Sequence, residues 1–178
     1  MSLLFRFVLI SSLFLGCAVK ELTVNYRQDK IYRLENMLLL LSPKVDRAEA
    51  YDLAKSSVNY SYRLAKEYRA IAFPWLQNSL VNIGLKKRGL CHEWASDLWH
   101  YLKKREYRSF SFHAVSANIG YLNEHNALCV SAKGDGIVRS ILLDAWRNSG
   151  DLYFSWIDRD KKYRWSERRG LYHLPPKR

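Results

Sequence analysis

Along residues 27–41 the apolar side chains Ile31, Leu34, Leu38 and Leu41 recur at intervals of three and four, with Arg33, Glu35 and Asn36 between them. That spacing puts them on one face of a helix, so the segment is predicted to be helical and amphipathic. Ser42-Pro43 then supplies an N-cap and a first-turn proline, and Val45, Ala48, Leu53, Val58, Leu64, Ala65 and Tyr68 carry a second, long helix to about residue 70. Pro74 opens a third helical stretch, and after Gly89 the series Cys91, Ala95, Leu98, Trp99 and Leu102 marks a fourth. Lys103, Lys104 and Arg105 end that helix with the charge its dipole favours. Beyond Tyr107 the period drops to two: Phe110, Phe112, Ala114 and Ser116 alternate with His113, Val115 and Ala117, and residues 126–132 and 138–144 read as two further strands. Helices first and strands afterwards predict an α+β fold, with N-terminal helices packed on a small antiparallel sheet.

The first sixteen residues do not belong to that pattern. Arg6 is followed by an apolar run, residues 7–15, interrupted by Ser11 and Ser12 and ending in Leu13-Phe14-Leu15-Gly16-Cys17. A bilayer span needs about 20 apolar residues, so this run suits the core of a signal peptide instead. The ending resembles the lipobox of bacterial lipoproteins, in which a small residue precedes a cysteine that is lipidated and becomes the new N-terminus. That resemblance makes residues 1–16 a removable leader, Cys17 the lipidation site and the cell envelope the location. Because Ala18 is not the aspartate that retains lipoproteins at the inner membrane, it implies the outer membrane, facing the periplasm, in a Gram-negative host.

Composition adds a folded core and a basic surface. Of the 178 residues 48% are hydrophobic and 14% aromatic, while the formal charge is +12. Lys161, Lys162, Arg164, Arg168 and Arg169 cluster near the C-terminus beside Tyr163 and Trp165. Such a segment suits an anionic membrane surface, an acidic polymer or a nucleic acid, or is simply a solvated basic tail. Export places the domain away from nucleic-acid targets. The chain has no glycine-rich phosphate loop or dinucleotide fingerprint, so no cofactor is expected.

Candidate chemistry begins at Cys91. It stands where a helix starts, and the unpaired amides and dipole there favour a thiolate, as a nucleophile requires. A buried inert thiol or a disulfide to Cys129 would place a cysteine there equally well. The second signal is a hairpin around Lys133-Gly134-Asp135-Gly136. With Gly134-Asp135 as a two-residue turn, counting outward sets His125 directly opposite Asp144; with Asp135-Gly136 the two become diagonal neighbours that an imidazole and a carboxylate can still bridge. His92 points about 100° away from Cys91 on the helix, His100 lies two turns on, and His173 sits in the basic tail. His113, on a strand, is the rival base, but no turn places an acid opposite it.

Three blocks, Gly89-Leu90-Cys91-His92-Glu93-Trp94-Ala95, Glu124-His125-Asn126-Ala127-Leu128 and Leu142-Leu143-Asp144-Ala145-Trp146, resemble in order and spacing those of the transglutaminase-like, papain-related cysteine hydrolases. In that family a cysteine opens a helix, a histidine opens a strand and an aspartate ends the next one. The resemblance covers about residues 86–156. It divides residues 17–178, read as one domain, into a helical part at 27–85, a catalytic core at 86–156 and a basic tail at 157–178. It also implies a Cys91, His125, Asp144 triad acting on peptide or isopeptide amides through a thioester, with the Cys91 amide as oxyanion donor and Gln77 as a candidate second donor. Water or an amine as acceptor separates hydrolase from transglutaminase, and both stay open. Two other readings compete. One is a zinc site drawn from Cys91, His92, His113, His125 and Cys129, for which no recognised ligand spacing exists. The other is a non-catalytic envelope lipoprotein that binds peptide, lipid or cell-wall polymer. The leader is tested first: Cys17→Ser is expected to release the protein from membranes, and mass spectrometry of the wild-type N-terminus to find lipid on Cys17. An unmodified start at another residue removes the anchor.

Overall fold

The computed structural model describes residue 19 and residues 21–168. The leader, Cys17, Ala18, His173 and the end of the basic tail lie outside the described residues.

Four helices precede the sheet: α1 (Val24–Leu39), α2 (Arg47–Glu67), α3 (Pro74–Asn82) and α4 (Cys91–Lys103). The strands follow as β1 (Phe110–Ala117), β2 (His125–Ala132), β3 (Ser140–Asp144), β4 (Tyr153–Trp156) and β5 (Ser166–Glu167). The fold is α+β: the strands form one antiparallel sheet in the order β4-β3-β2-β1-β5. One strand face supplies Phe110, Ala114, Leu128, Val130, Ile141 and Leu143 to the main apolar cluster, where they meet Leu34 and Leu38 of α1, Leu53 and Leu64 of α2 and Trp94, Leu98 and Leu102 of α4. Each large side chain fully buried there contributes about 1.5–3 kcal/mol of transfer free energy. The opposite strand face holds a smaller cluster of Val115, Ala127, Cys129 and Leu142, covered by Ile137, Tyr153, Ile157 and Trp165. No described helix is long and apolar enough to cross a membrane.

The second helix starts later than its sequence pattern predicts. Asp46, not Ser42, is the N-cap, its carboxylate accepting from the Glu49 amide at 2.9 Å, and Pro43 lies in a turn. Ser42 instead accepts from the Lys44 amide at 3.2 Å, a local turn that competes with helix initiation. Small residues on α2 then let the sheet approach. A Cβ on Gly150, whose φ is +96°, would lie 2.5 Å from the Ala65 Cβ and 2.9 Å from the Ser61 carbonyl oxygen. The turn after β3 therefore rests directly on α2.

The β2–β3 register settles the hairpin. Leu128 pairs with Leu143 and Cys129 with Leu142, so His125 and Asp144 are diagonal rather than directly opposite. That is the register of an Asp135-Gly136 turn, but the connection is longer than two residues. Ile137–Arg139 forms a 3₁₀ turn, and β3 begins at Ser140 instead of residue 138. The segment read as a basic tail from residue 157 is structured over its described part. Ile157–Arg159 is a second 3₁₀ turn, and β5 pairs with β1 through Val115↔Glu167 and Ser116↔Ser166. Asp160 and Trp165 fix the segment in place, Asp160 accepting from Arg147 and from Trp165 Nε1.

If α2 starts at Arg47, Asp46→Ala is expected to destabilise the protein by about 1 kcal/mol and Ser42→Ala by under about 0.5 kcal/mol, read by denaturant unfolding. The opposite order contradicts this cap assignment.

Candidate active site

Cys91 is held by the loop that delivers it. Leu90, the N-cap, has no polar side chain; Glu93 turns back instead and accepts the amides of Gly89 at 2.7 Å and Leu90 at 2.9 Å. Trp94 Nε1 donates to the Gly89 carbonyl at 3.1 Å. Gln77 on α3 donates through Nε2 to the carbonyls of Arg88 at 2.8 Å and Tyr68 at 3.4 Å. Gly89 adopts φ +131°, and a Cβ there would lie 2.6 Å from Gln77 Cγ and Nε2, so only glycine fits. Gln77 thus braces the loop before Cys91. Both its amide hydrogens are engaged there, so Gln77, only a candidate second oxyanion donor from the sequence, has none free for that role.

The start of β2 brings the partners. Cys91 Sγ lies 3.8 Å from the Glu124 carbonyl oxygen and 3.8 Å from Asn126 Nδ2, while Asn126 Oδ1 accepts from Ser116 Oγ at 2.6 Å. His125 Nε2 and Asp144 Oδ2 are 2.7 Å apart, and the other ring nitrogen, Nδ1, is buried with no hydrogen-bond partner among the described residues. Burial disfavours the imidazolium, but the Asp144 carboxylate and then the neighbouring Cys91 outweigh it and raise the His125 pKa to about 9. Cys91 is therefore an electrostatic neighbour of the imidazole. The structure brings Cys91, His125 and Asp144 together, with 7%, 2% and 1% of their surfaces exposed.

Behind Asp144 the charges alternate. Arg147 donates from its amide to Oδ1 and from Nε to Oδ2 of Asp144, both at 3.0 Å, and grips Asp160 with Nη1 and Nη2 at 3.1 and 2.7 Å. Asp160 also accepts from Trp165 Nε1 at 2.9 Å and the Lys162 amide at 3.1 Å. Burial opposes ionisation of both aspartates, yet the His125 and Arg147 partners of Asp144, and Arg147 and Trp165 at Asp160, hold both pKa values below the ordinary range. Aromatic rings close around the imidazole: Trp146 and Tyr163 with centroids at 4.7 Å and Trp165 at 5.4 Å. Trp146 is itself fixed by donating to Asn78 Oδ1 at 2.9 Å. Asn126, Arg147 and Asp160 had no role assigned from sequence, and Tyr163 and Trp165 were read as part of the basic segment and not of this site. Only Asn126, next to His125 in its block, carried a usable signal.

His113 has an acid after all, on β5. Its Nδ1 is 2.8 Å from Glu167 Oε1 and its Nε2 is 2.9 Å from Ser131 Oγ. Ser131 is fully buried, and its single hydroxyl proton is shared between the Asp135 carbonyl at 2.8 Å and the Ala132 carbonyl at 3.1 Å. His100 Nδ1 lies 2.7 Å from the Ser96 carbonyl oxygen. No group of three His, Cys, Asp or Glu among the described residues is arranged to hold a metal ion. Cys91 and Cys129 are both free, so no disulfide consumes Cys91, and complete burial pushes the Cys129 thiol up to about 12.

Compared with protein-family models, curated proteins and solved structures, the chain matches none of them.

A raised histidine pKa contributes stability below the unfolded value of about 6.5, lost as pH rises through the folded value of about 9; the lowered Asp144 contributes stability above about 3.9, lost as pH falls. NMR titration of the His125 ring is expected to give a midpoint near 9. In Asp144→Asn the burial remains and the counter-charge is gone, so the midpoint should fall to the ordinary histidine value or below. An unchanged midpoint would mean that Asp144 does not hold the imidazolium.

Proposed function

We propose that the protein is an exported, lipid-anchored cysteine hydrolase or acyltransferase of the transglutaminase-like, papain-related type, acting on peptide or isopeptide amides. The observation that carries this reading is the buried pair of His125 Nε2 and Asp144 Oδ2 at 2.7 Å, which leaves Nδ1 unpaired beside a free cysteine at a helix start. The order of helix-start cysteine, strand-start histidine and strand-end aspartate supports the same family.

In this mechanism the Cys91 thiol proton is transferred to His125 Nδ1, whose affinity for it is raised by Asp144, before sulfur attacks the amide carbon as a thiolate. The carbonyl oxygen takes up negative charge against the first amides of α4, with the Cys91 amide as the donor nearest the new bond. Asn126 Nδ2, already directed at Sγ, is the side-chain amide placed to assist. Collapse breaks the C–N bond, and the leaving amine departs with the proton from His125, leaving a thioester. Water or a second amine then attacks; His125 removes its proton and returns it to sulfur as the C–S bond breaks. Asp144 keeps the imidazole in the tautomer and orientation that both steps use.

A second reading, a non-catalytic envelope lipoprotein that binds peptide or polymer, is favoured by one observation: the rings of Tyr163, Trp165 and Trp146 leave His125 almost no exposed surface. A single experiment separates the two. Asp144→Asn, shown by circular dichroism to be folded, is expected to lower turnover, or the rate of labelling by an amide-mimicking thiol-reactive probe, on the order of 10–10³-fold. Asp135→Asn, in the turn before β3, should leave the rate unchanged. Wild-type rates in folded Asp144→Asn would dismantle the triad, and no labelling in the wild type favours the binding protein.

A further inference from the structure

Between Arg69 and Arg88 the chain carries four cations and not one acidic residue. Within it Phe73, Trp75, Ile83 and Leu85 stand 49%, 65%, 68% and 72% exposed, around the short helix α3. These large apolar side chains, with the Phe73 and Trp75 rings 6.4 Å apart, are flanked by Arg69 and Lys87, both exposed. The segment is nonetheless firmly placed, since Gln77 and Asn78 on its inner face bond the Cys91 loop and Trp146.

The way the chain enters the fold says what covers this surface. Val19 lines one cleft with Ala65 and Lys66 of α2 and with Arg69 and Ala70 just past its C-terminal end. Lys86 donates to the Arg69 carbonyl, tying the far end of the apolar segment to the same corner. Cys17 is two residues from Val19, a reach of at most about 7 Å. A lipid on Cys17 would therefore enter the bilayer next to the segment that exposes Phe73, Trp75, Ile83 and Leu85.

We infer that residues 69–87 form a membrane-docking surface for an anionic bilayer, with Phe73, Trp75, Ile83 and Leu85 entering the interface and Arg69 and Lys87 meeting lipid phosphates. Its orientation rests on the lipid-anchor reading, but its chemistry does not. Docking by this surface also sets the distance of Cys91 from the bilayer, because α3 and the Cys91 loop are bonded together.

The test uses the chain from Ala18 to Arg178 without lipid, which retains every residue of both apolar clusters. Its failure is thus separate from failure of the Cys17 assignment, which mass spectrometry reads. Co-sedimentation is measured with vesicles of phosphatidylcholine alone and with phosphatidylglycerol added. Binding is expected only to the anionic vesicles, weakened on the order of tenfold or more by Arg69→Glu with Lys87→Glu and similarly by Trp75→Ser with Leu85→Ser. Lys161→Glu with Lys162→Glu, in the segment between β4 and β5, should change it little, and circular dichroism checks that each variant is folded. No binding to anionic vesicles overturns the inference, as does binding that only the Lys161, Lys162 pair reduces.

Discussion

A row of alternating buried charges, His125, Asp144, Arg147 and Asp160, joins three parts of the chain: the start of β2, the end of β3 and the segment after β4. Taking each ion out of water costs several kcal/mol, and the row persists only because every member has an opposite charge at hydrogen-bonding distance. Asp144 Oδ2 serves His125 and Arg147 at once. Removing one member strands its neighbours, a loss of about 3–5 kcal/mol for a buried pair. The placement of the imidazole and the closure of the C-terminal segment over it are therefore one energetic event. Arg147 stacks on Tyr153 at 3.9 Å, so the row is also packed, not merely neutralised.

Cys91 reaches this row from a separate layer. Its position is set by backbone chemistry in the loop before α4: a glycine that no Cβ could replace, Glu93 collecting two amides, and Gln77 holding a carbonyl from α3. The sheet supplies the imidazole and the carboxylate, and the helix layer supplies the thiol. Their contact depends on α4 packing against β2, through Trp94, Leu98 and Leu128 in the shared cluster.

The helices and central strands were legible because their apolar period is strong, and Cys91, His125 and Asp144 because a helix start and a hairpin place them without long-range information. The hairpin left two registers open, and pattern alone cannot choose between turns that each satisfy the alternation; the chosen one came with a 3₁₀ turn at Ile137–Arg139 that no pattern announced. Ser42-Pro43 carried a valid helix-start signal that a local turn intercepted, with Asp46 capping instead. Residues 157–168 were hardest to read. Their charge is that of a solvated tail, and only the three-dimensional meeting of Asp160 with Arg147 turns them into a wall of the site.

The central claim is that Cys91, activated by His125, is the nucleophile. Its most direct test is to treat the native protein with a peptide bearing an electrophile in place of the scissile amide, digest it and locate the adduct by mass spectrometry. The account predicts a single adduct, on Cys91, formed by the native protein and lost when the protein is first unfolded in urea. An adduct on Cys129 or Ser131, or labelling of Cys91 that is as fast in urea as in the native state, would contradict it.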